Sequence, residues 1–173
     1  MAKEQISADR LRSLLRYDPD TGVFTWRVVH GGRKRIPAGI VAGTRFTPAC
    51  GKSDYLAITL DGRTYSLHRL AWLYMTGEWP DSFIDHADMD GMNNRWSNLR
   101  LATKGQNMQN RRPQKNSKSG RKGVGWLAAN RKWRAYICVN RKFRHLGLFD
   151  SPEEASAAYL EAAKTLYGEF ARA

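Results

Sequence analysis

Apolar positions recur along this chain at two periods, and the switches between them mark its elements. Leu11, Leu14 and Leu15 fall on one face of a helix predicted over residues 8–16, with Ser7 as its N-cap. The turn-forming run YDPDTG (17–22) separates it from a strand predicted over 23–29. A glycine-containing loop with Arg33, Lys34 and Arg35 follows from His30 to Gly43. Residues 55–60 and 64–67 flank Asp61-Gly62, the strongest hairpin signal in the chain. A helix is expected over 68–76, ending at Gly77, which accepts the left-handed conformation of a helix stop. Next come a short apolar strand ending in Asp85-His86, a polar loop, and a second short strand over 99–102. Thr103 with Gln106 three residues later then forms a capping box that opens a helix.

The C-terminal third repeats a simpler pattern. A strand is predicted over 124–128. Residues 133–139 alternate, with Trp133, Ala135 and Ile137 on one face and Arg134, Tyr136 and Cys138 on the other. Residues 140–142 turn the chain and 143–148 return it. Ser151-Pro152-Glu153-Glu154 combines an N-cap, a proline at the first helical position and a capping-box Glu. The helix it opens runs to Tyr167 and stops at Gly168. Its expected apolar stripe is Ala155, Ala158, Tyr159, Ala162 and Leu166, a core surface whose alanines permit close approach to a sheet. The fold class implied is α+β, with a three-stranded antiparallel sheet packed on one helix at the C-terminal end.

Charge changes this picture of small mixed units. The chain has 29 Lys plus Arg against 16 Asp plus Glu, and between Gly91 and Phe149 it has 15 basic residues and no acidic one. So long a stretch of one sign calls for a counter-surface, and a polyphosphate backbone, such as that of double-stranded DNA, is the natural one. Trp126, Trp133, Tyr136 and Phe143 interrupt the run, so much of it should be folded. A membrane surface fits less well, because no basic amphipathic helix accompanies the charge. The segment RRPQKNSKSGR (111–121) reads as a basic linker; eleven extended residues reach roughly 35 Å, close to the ~34 Å of one DNA turn. Arg111 and Arg112 are candidates to lie along the backbone there. Cys50 and Cys138 form no paired metal-ligand spacing, which argues against a zinc ribbon. With no secretion signal at the N-terminus and no apolar run approaching ~18 residues, a reducing cytoplasm is the expected compartment.

The candidate chemistry lies in IDHADMDGMNNRWSNLRLATKGQNMQNR (84–111), where a strand, the loop after it and a helix carry Asp85 and His86, Asn98, and Asn107 respectively. His86, Asp88, Asp90 and Gly91 imitate the start of an EF-hand calcium loop, but that loop wants an acid at its first position and a Glu at its twelfth, where this chain has His86 and Ser97. A carboxylate, an imidazole and two amides around one point suit a metal-assisted phosphodiester hydrolase. The segment resembles the HNH endonucleases, the beta-beta-alpha-metal nucleases common among phage and intron-encoded homing enzymes. The resemblance extends to the lead-in YSLHRLAWLYMTGEWP (65–80).

What the resemblance implies is specific. Asp85 would hold one divalent metal ion, His86 would be the general base, Asn98 would brace the loop and orient the imidazole, and Asn107 would be the second protein ligand. The third family position is often His; Asn here keeps an oxygen donor, which suits magnesium or manganese. Products with 5′-phosphate and 3′-hydroxyl ends are implied, as is a phage or mobile-element origin in a bacterial host. Arg95 and Arg100 are candidates to grip a phosphate or plain surface arginines. His68 is expected to make structural hydrogen bonds rather than bind metal, with Arg69 near the phosphate path.

The C-terminal unit, KGVGWLAANRKWRAYICVNRKFRHLGLFDSPEEASAAYLEAAKTLYGEFAR (122–172), resembles the APETALA-type (ERF-like) DNA-binding domain. That implies a sheet reading the major groove, with Lys122, Trp126, Arg134, Tyr136 and His145 as contacts and Lys142 and Arg144 on phosphates. Trp126 is either a contact or a core residue. Gly125, Tyr136 and Cys138 stand where charged readers are expected, so base preference does not transfer. The organisation expected is thus a lead-in over 1–63 packing on a nuclease module at 64–111, the linker at 112–121 and a recognition domain at 122–173. The protein would act as a monomer or a DNA-dependent dimer without a small-molecule cofactor. The competing class is a DNA-binding regulator whose nuclease half is scaffold, and the intact Asp85, His86, Asn98 and Asn107 argue against it. RNA binding is a third option, to be separated by competition with duplex DNA.

Overall fold

The computed structural model describes residues 5–29, 35–47, 54–109, 118–139 and 142–171. Two compact units emerge, Met1–Thr103 and Lys104–Ala173. His30, Arg33, Lys34, Cys50, Arg111, Arg112 and most of the expected linker lie outside the described residues.

The first unit opens with α1 (Ala8–Leu14), whose N-cap Ser7 accepts a bond from the Arg10 N–H at 3.2 Å. The helix ends at Leu14 rather than Arg16, because Leu15 adopts extended backbone and starts β1 (Leu15–Asp18). Here the pattern changes from helical to alternating: Leu15 and Tyr17 are buried, Arg16 and Asp18 exposed. β1 pairs antiparallel with β2 (Val23–Trp26), which is shorter than the expected 23–29. β3 (Thr44–Phe46), β4 (Tyr55–Leu60) and β5 (Arg63–Ser66) form an antiparallel sheet in that order. The β4–β5 turn is the expected Asp61-Gly62, both at positive φ. α2 (Leu67–Thr76) follows and ends at Gly77 in the left-handed conformation. β6 (Phe83–His86) and β7 (Leu99–Ala102) then pair antiparallel.

These pieces share one core. Leu11, Leu14 and Leu15 pack with Phe24, Leu60, Leu67, Leu70 and Leu73, and the same cluster takes in Ile84 and Leu99 from β6 and β7. The lead-in and the β6–β7 pair are therefore a single folding unit through residue 103. The lead-in supplies more than half of the buried apolar residues of the core that Ile84 and Leu99 join.

The second unit begins with α3 (Lys104–Gln109). β8 (Val124–Leu127), β9 (Lys132–Val139) and β10 (Lys142–Phe149) form an antiparallel sheet in the order β10-β9-β8, backed by α4 (Pro152–Tyr167). Ser151 caps α4 by accepting from the Glu154 N–H at 3.2 Å, as its sequence predicts. The helix-side face of β9 is Ala135 and Ile137, packed on Ala155, Tyr159 and Ala163. The stripe differs in detail from expectation: Ser156 and Ala163 are buried, whereas Leu166 is 40% exposed. No helix among the described residues is long and apolar enough to cross a membrane.

Candidate active site

Asp85 and His86 close β6, and consecutive strand residues leave opposite faces. The His86 side shares its face with Ile84 and, across the pair, with Leu99, all in the core. The Asp85 side shares its face with Arg100, its direct partner on β7. Both residues are buried, at 5% and 6% exposure. A carboxylate that deep needs compensation, and Arg100 gives it: Nε and an Nη donate to Asp85 Oδ2 at 3.0 and 2.9 Å. Arg100 is therefore the part-buried counter-ion of Asp85 rather than a plain surface arginine. Opposite charges directly across an antiparallel pair are the sheet's usual way of stabilising such a position.

The imidazole is held by a residue the sequence does not single out. His86 Nε2 lies 3.2 Å from Asn94 Oδ1, and Asn94 is 1% exposed. An amide oxygen can only accept, so the proton sits on Nε2 and the Nδ1 lone pair is the basic one. Asn98 does brace the loop but does not orient the ring. Its Nδ2 donates to Asp88 Oδ1 at 2.9 Å and to the Asn93 carbonyl at 2.8 Å, and its Oδ1 accepts from the Asp88 N–H. Asp88 is the hub of that loop, also accepting from the Asp90 N–H and from Asn93 Nδ2. Burial works to raise its carboxyl, but these bonds outweigh it and hold it below the ordinary range. Gly91 lets the loop lie against β4: a Cβ there would stand 2.4 Å from the Asp54 carbonyl and 2.7 Å from the Tyr55 ring.

Two rings complete the surroundings of His86. His68, near the start of α2, meets it edge-on at 5.2 Å, and Tyr55 lies 6.0 Å away. The expected structural hydrogen bonds of His68 do not form at Nδ1, which is buried without a partner among the described residues; the ring acts as packing. Burial, then the neighbouring His86 and Arg69, push its pKa down to about 3. His86 is lowered too, chiefly by burial, against the opposing pull of Asn94 and of Asp88, Asp85 and Asp90. A neutral imidazole at physiological pH can accept a proton. Arg69 donates to the Pro80 carbonyl at 3.3 Å and lies over the Trp79 ring, contacts that hold it within the fold. The Arg95 side chain is exposed beside the loop.

Among the described residues no three His, Cys, Asp or Glu side chains gather as a metal set. The donors available are of another kind: the Asp85 carboxylate, with lone pairs on both oxygens, and amide oxygens. These hard oxygen donors fit magnesium or manganese rather than zinc. Asn107, half-buried on α3, belongs to the second unit.

A family model for HNH endonucleases matches residues 65–109, the span that holds Asp85, His86, Asn98 and Asn107. Over 106 residues the chain is 31% identical to Protein 3.8 of Escherichia phage T7, which covers 61% of this chain and 87% of that one. The chain belongs to the HNH endonuclease family. A second relative is an uncharacterised HNH endonuclease of Acanthamoeba polyphaga mimivirus, 36% identical over 123 residues. That match covers 70% of this chain, and the chain spans 63% of the length of the mimivirus protein. No solved structure matches the chain. Within this HNH family segment, the strand end and loop are legible from sequence, whereas Asn94 and the Asp85–Arg100 pair are not. The only sequence signal for the pair is the strand–loop–strand spacing that sets Arg100 opposite Asp85.

The second unit presents a different surface. The sheet face away from α4 carries Arg134, Tyr136, Phe143 and His145, by register and alternation. The Arg134 guanidinium lies over the Tyr136 ring at 5.0 Å, and Phe143, 74% exposed, meets the same ring at 5.7 Å. Trp126 is not on this face. It pairs with Trp133, shares the helix-side face with Val124 and Ala135, and sits at its rim, 43% exposed. Lys142 and Arg144 pair with Val139 and Ile137, so they flank the helix side at the exposed end of β10. The Lys122 ammonium donates to the Gln109 carbonyl and is not displayed on the sheet.

Proposed function

We propose that this HNH family member is a metal-dependent DNA endonuclease whose general base is His86. The observation that carries the reading is the buried Asp85-His86 pair at the end of β6, with the imidazole fixed through Nε2 by Asn94. In this reading Nδ1 takes the proton of the attacking water as its oxygen approaches phosphorus in line with the leaving 3′ oxygen. Holding Nε2–H on an acceptor also stabilises the imidazolium that forms. Asn98 keeps the loop closed around Asp88, which fixes where the strand ends. Asp85 would hold one magnesium or manganese ion, and Asn107 is kept as a second ligand only as the resemblance of the segment implies. When bound, that ion neutralises charge developing on the phosphoryl oxygens. Products carry 5′-phosphate and 3′-hydroxyl ends.

The second unit is proposed as the recognition module, an APETALA-type sheet backed by one helix. Its outer face offers a guanidinium and two aromatic rings at one place, a combination suited to base edges and stacking. Arg134, Tyr136 and His145 remain the contact candidates, with Phe143 added. Arg95, Arg111, Arg112, Lys142 and Arg144 are proposed on the phosphate backbone. Conversion of supercoiled plasmid in magnesium or in chelator tests the reading. Nicked or linear product in magnesium alone is expected. Tight, salt-sensitive binding with no product under either condition, across varied target DNA, would favour a regulator.

A further inference from the structure

The residue that holds the imidazole is itself held, from the far end of the sequence. Tyr17 donates from its hydroxyl to the Asn94 carbonyl at 2.6 Å, a buried bond. Two residues on, the Trp96 N–H donates to the Pro19 carbonyl at 2.9 Å. Between them the Arg95 backbone lies against Gly22, where a Cβ would stand 2.4 Å from Arg95 N and 2.4 Å from the Asn94 carbonyl carbon. Gly22 has φ +74°, so it is suited to this place by conformation as well as by size. Three consecutive residues, Asn94 to Trp96, are thus held by the end of β1 and the turn that joins it to β2.

That turn is stiff. Asp18 Oδ1 accepts from the Asp20 and Thr21 N–H groups, and the Gly22 N–H closes on the Asp18 carbonyl at 2.8 Å. The Tyr17 ring is fixed against Phe24 and Tyr74, at 4.7 and 5.7 Å. Tyr17, Pro19 and Gly22 all lie outside the matched family segment 65–109. We propose that the β1–β2 turn is a positioning clamp for the His86 imidazole, with Tyr17 and Gly22 as positioning residues acting through Asn94. The inference rests on the assignment of His86 as general base. A base displaced by about 1 Å loses of the order of 100-fold in rate, and Asn94 touches both the clamp and the ring.

Tyr17→Phe removes the hydroxyl and keeps the ring packing. Gly22→Ala disturbs the same segment by a different route. In each folded variant, single-turnover plasmid cutting should fall at least about tenfold, while DNA affinity stays within about twofold. Nitrogen NMR of His86 should show one tautomer, Nε2–H, in the wild type and a mixture in the variants. A merely structural role would lower the melting temperature and leave kcat and the tautomer alone, and that result in either folded variant overturns the clamp. The tautomer readout needs no activity. A wild type that cuts nothing, with the tautomer still shifting in Tyr17→Phe, would sink the nuclease reading and leave the clamp standing.

Discussion

Arg100→Met should expose how much the buried Asp85 carboxylate depends on its partner. Asp85 is 5% exposed and the Arg100 side chain 17%, with two N–H bonds at 3.0 and 2.9 Å onto one oxygen. Removing one member of a buried ion pair costs about 3–5 kcal/mol, because the other charge is left without compensation. The partial exposure of Arg100 places this site at the lower end, about 3 kcal/mol. For a unit of 103 residues, each kcal/mol moves the melting temperature by about 4–8 °C, so a fall of roughly 12–24 °C is expected in chelator. The assay is thermal or denaturant unfolding of the full chain. Asp85→Asn combined with Arg100→Met should recover most of the loss, since no buried charge remains. Magnesium should then discriminate further. If Asp85 is a metal ligand, the single variant gains more stability from magnesium than the wild type, by about 1 kcal/mol or more at concentrations well above its Kd. A single variant within about 0.5 kcal/mol of wild type in chelator refutes the buried-pair reasoning. Equal magnesium stabilisation of both proteins counts against Asp85 as a ligand.

Two other consequences follow from the same structure. The His68 imidazole falls from 6.5 to about 3 on folding, so between those values the unfolded chain binds a proton that the folded chain does not. Its contribution is complete above pH 6.5 and is lost as pH falls, by up to about 1.4 kcal/mol per pH unit. His68→Phe should flatten that slope between pH 6.5 and 5, and an unchanged slope contradicts the burial argument. Arg134→Ala should weaken DNA binding by about 1–3 kcal/mol or relax sequence preference; unchanged affinity at moderate salt counts against the outer sheet face as the reader.

Local signals carried well here. Asp61-Gly62 needs positive φ at both positions and has it, and Ser151 with Pro152 starts α4 where capping chemistry requires. β7 runs over Leu99–Ala102, and β6 ends at the Asp-His pair, as the pattern predicts. The failures share a cause, which is that tertiary partners are not written in local sequence. Leu15 is apolar at helical spacing from Leu11, yet pairing with Trp26 draws it into β1. Asn93, Asn94 and Asn98 are the same residue type in one loop, and only the folded loop selects Asn94 for the imidazole. Trp126 stays open between contact and core in the sequence, and its register partner Trp133 puts it on the helix side. Lys122 and Arg69 are cations in a basic chain, but each is committed to a backbone carbonyl.

The most direct measurement is paired cutting and binding on one DNA substrate, for wild type and His86→Ala in magnesium. If His86 is the base, cutting should fall by a factor of roughly 10²–10⁴ while DNA affinity stays nearly unchanged. Cutting by the variant at the wild-type rate, or an equal loss of cutting and binding, would contradict the assignment.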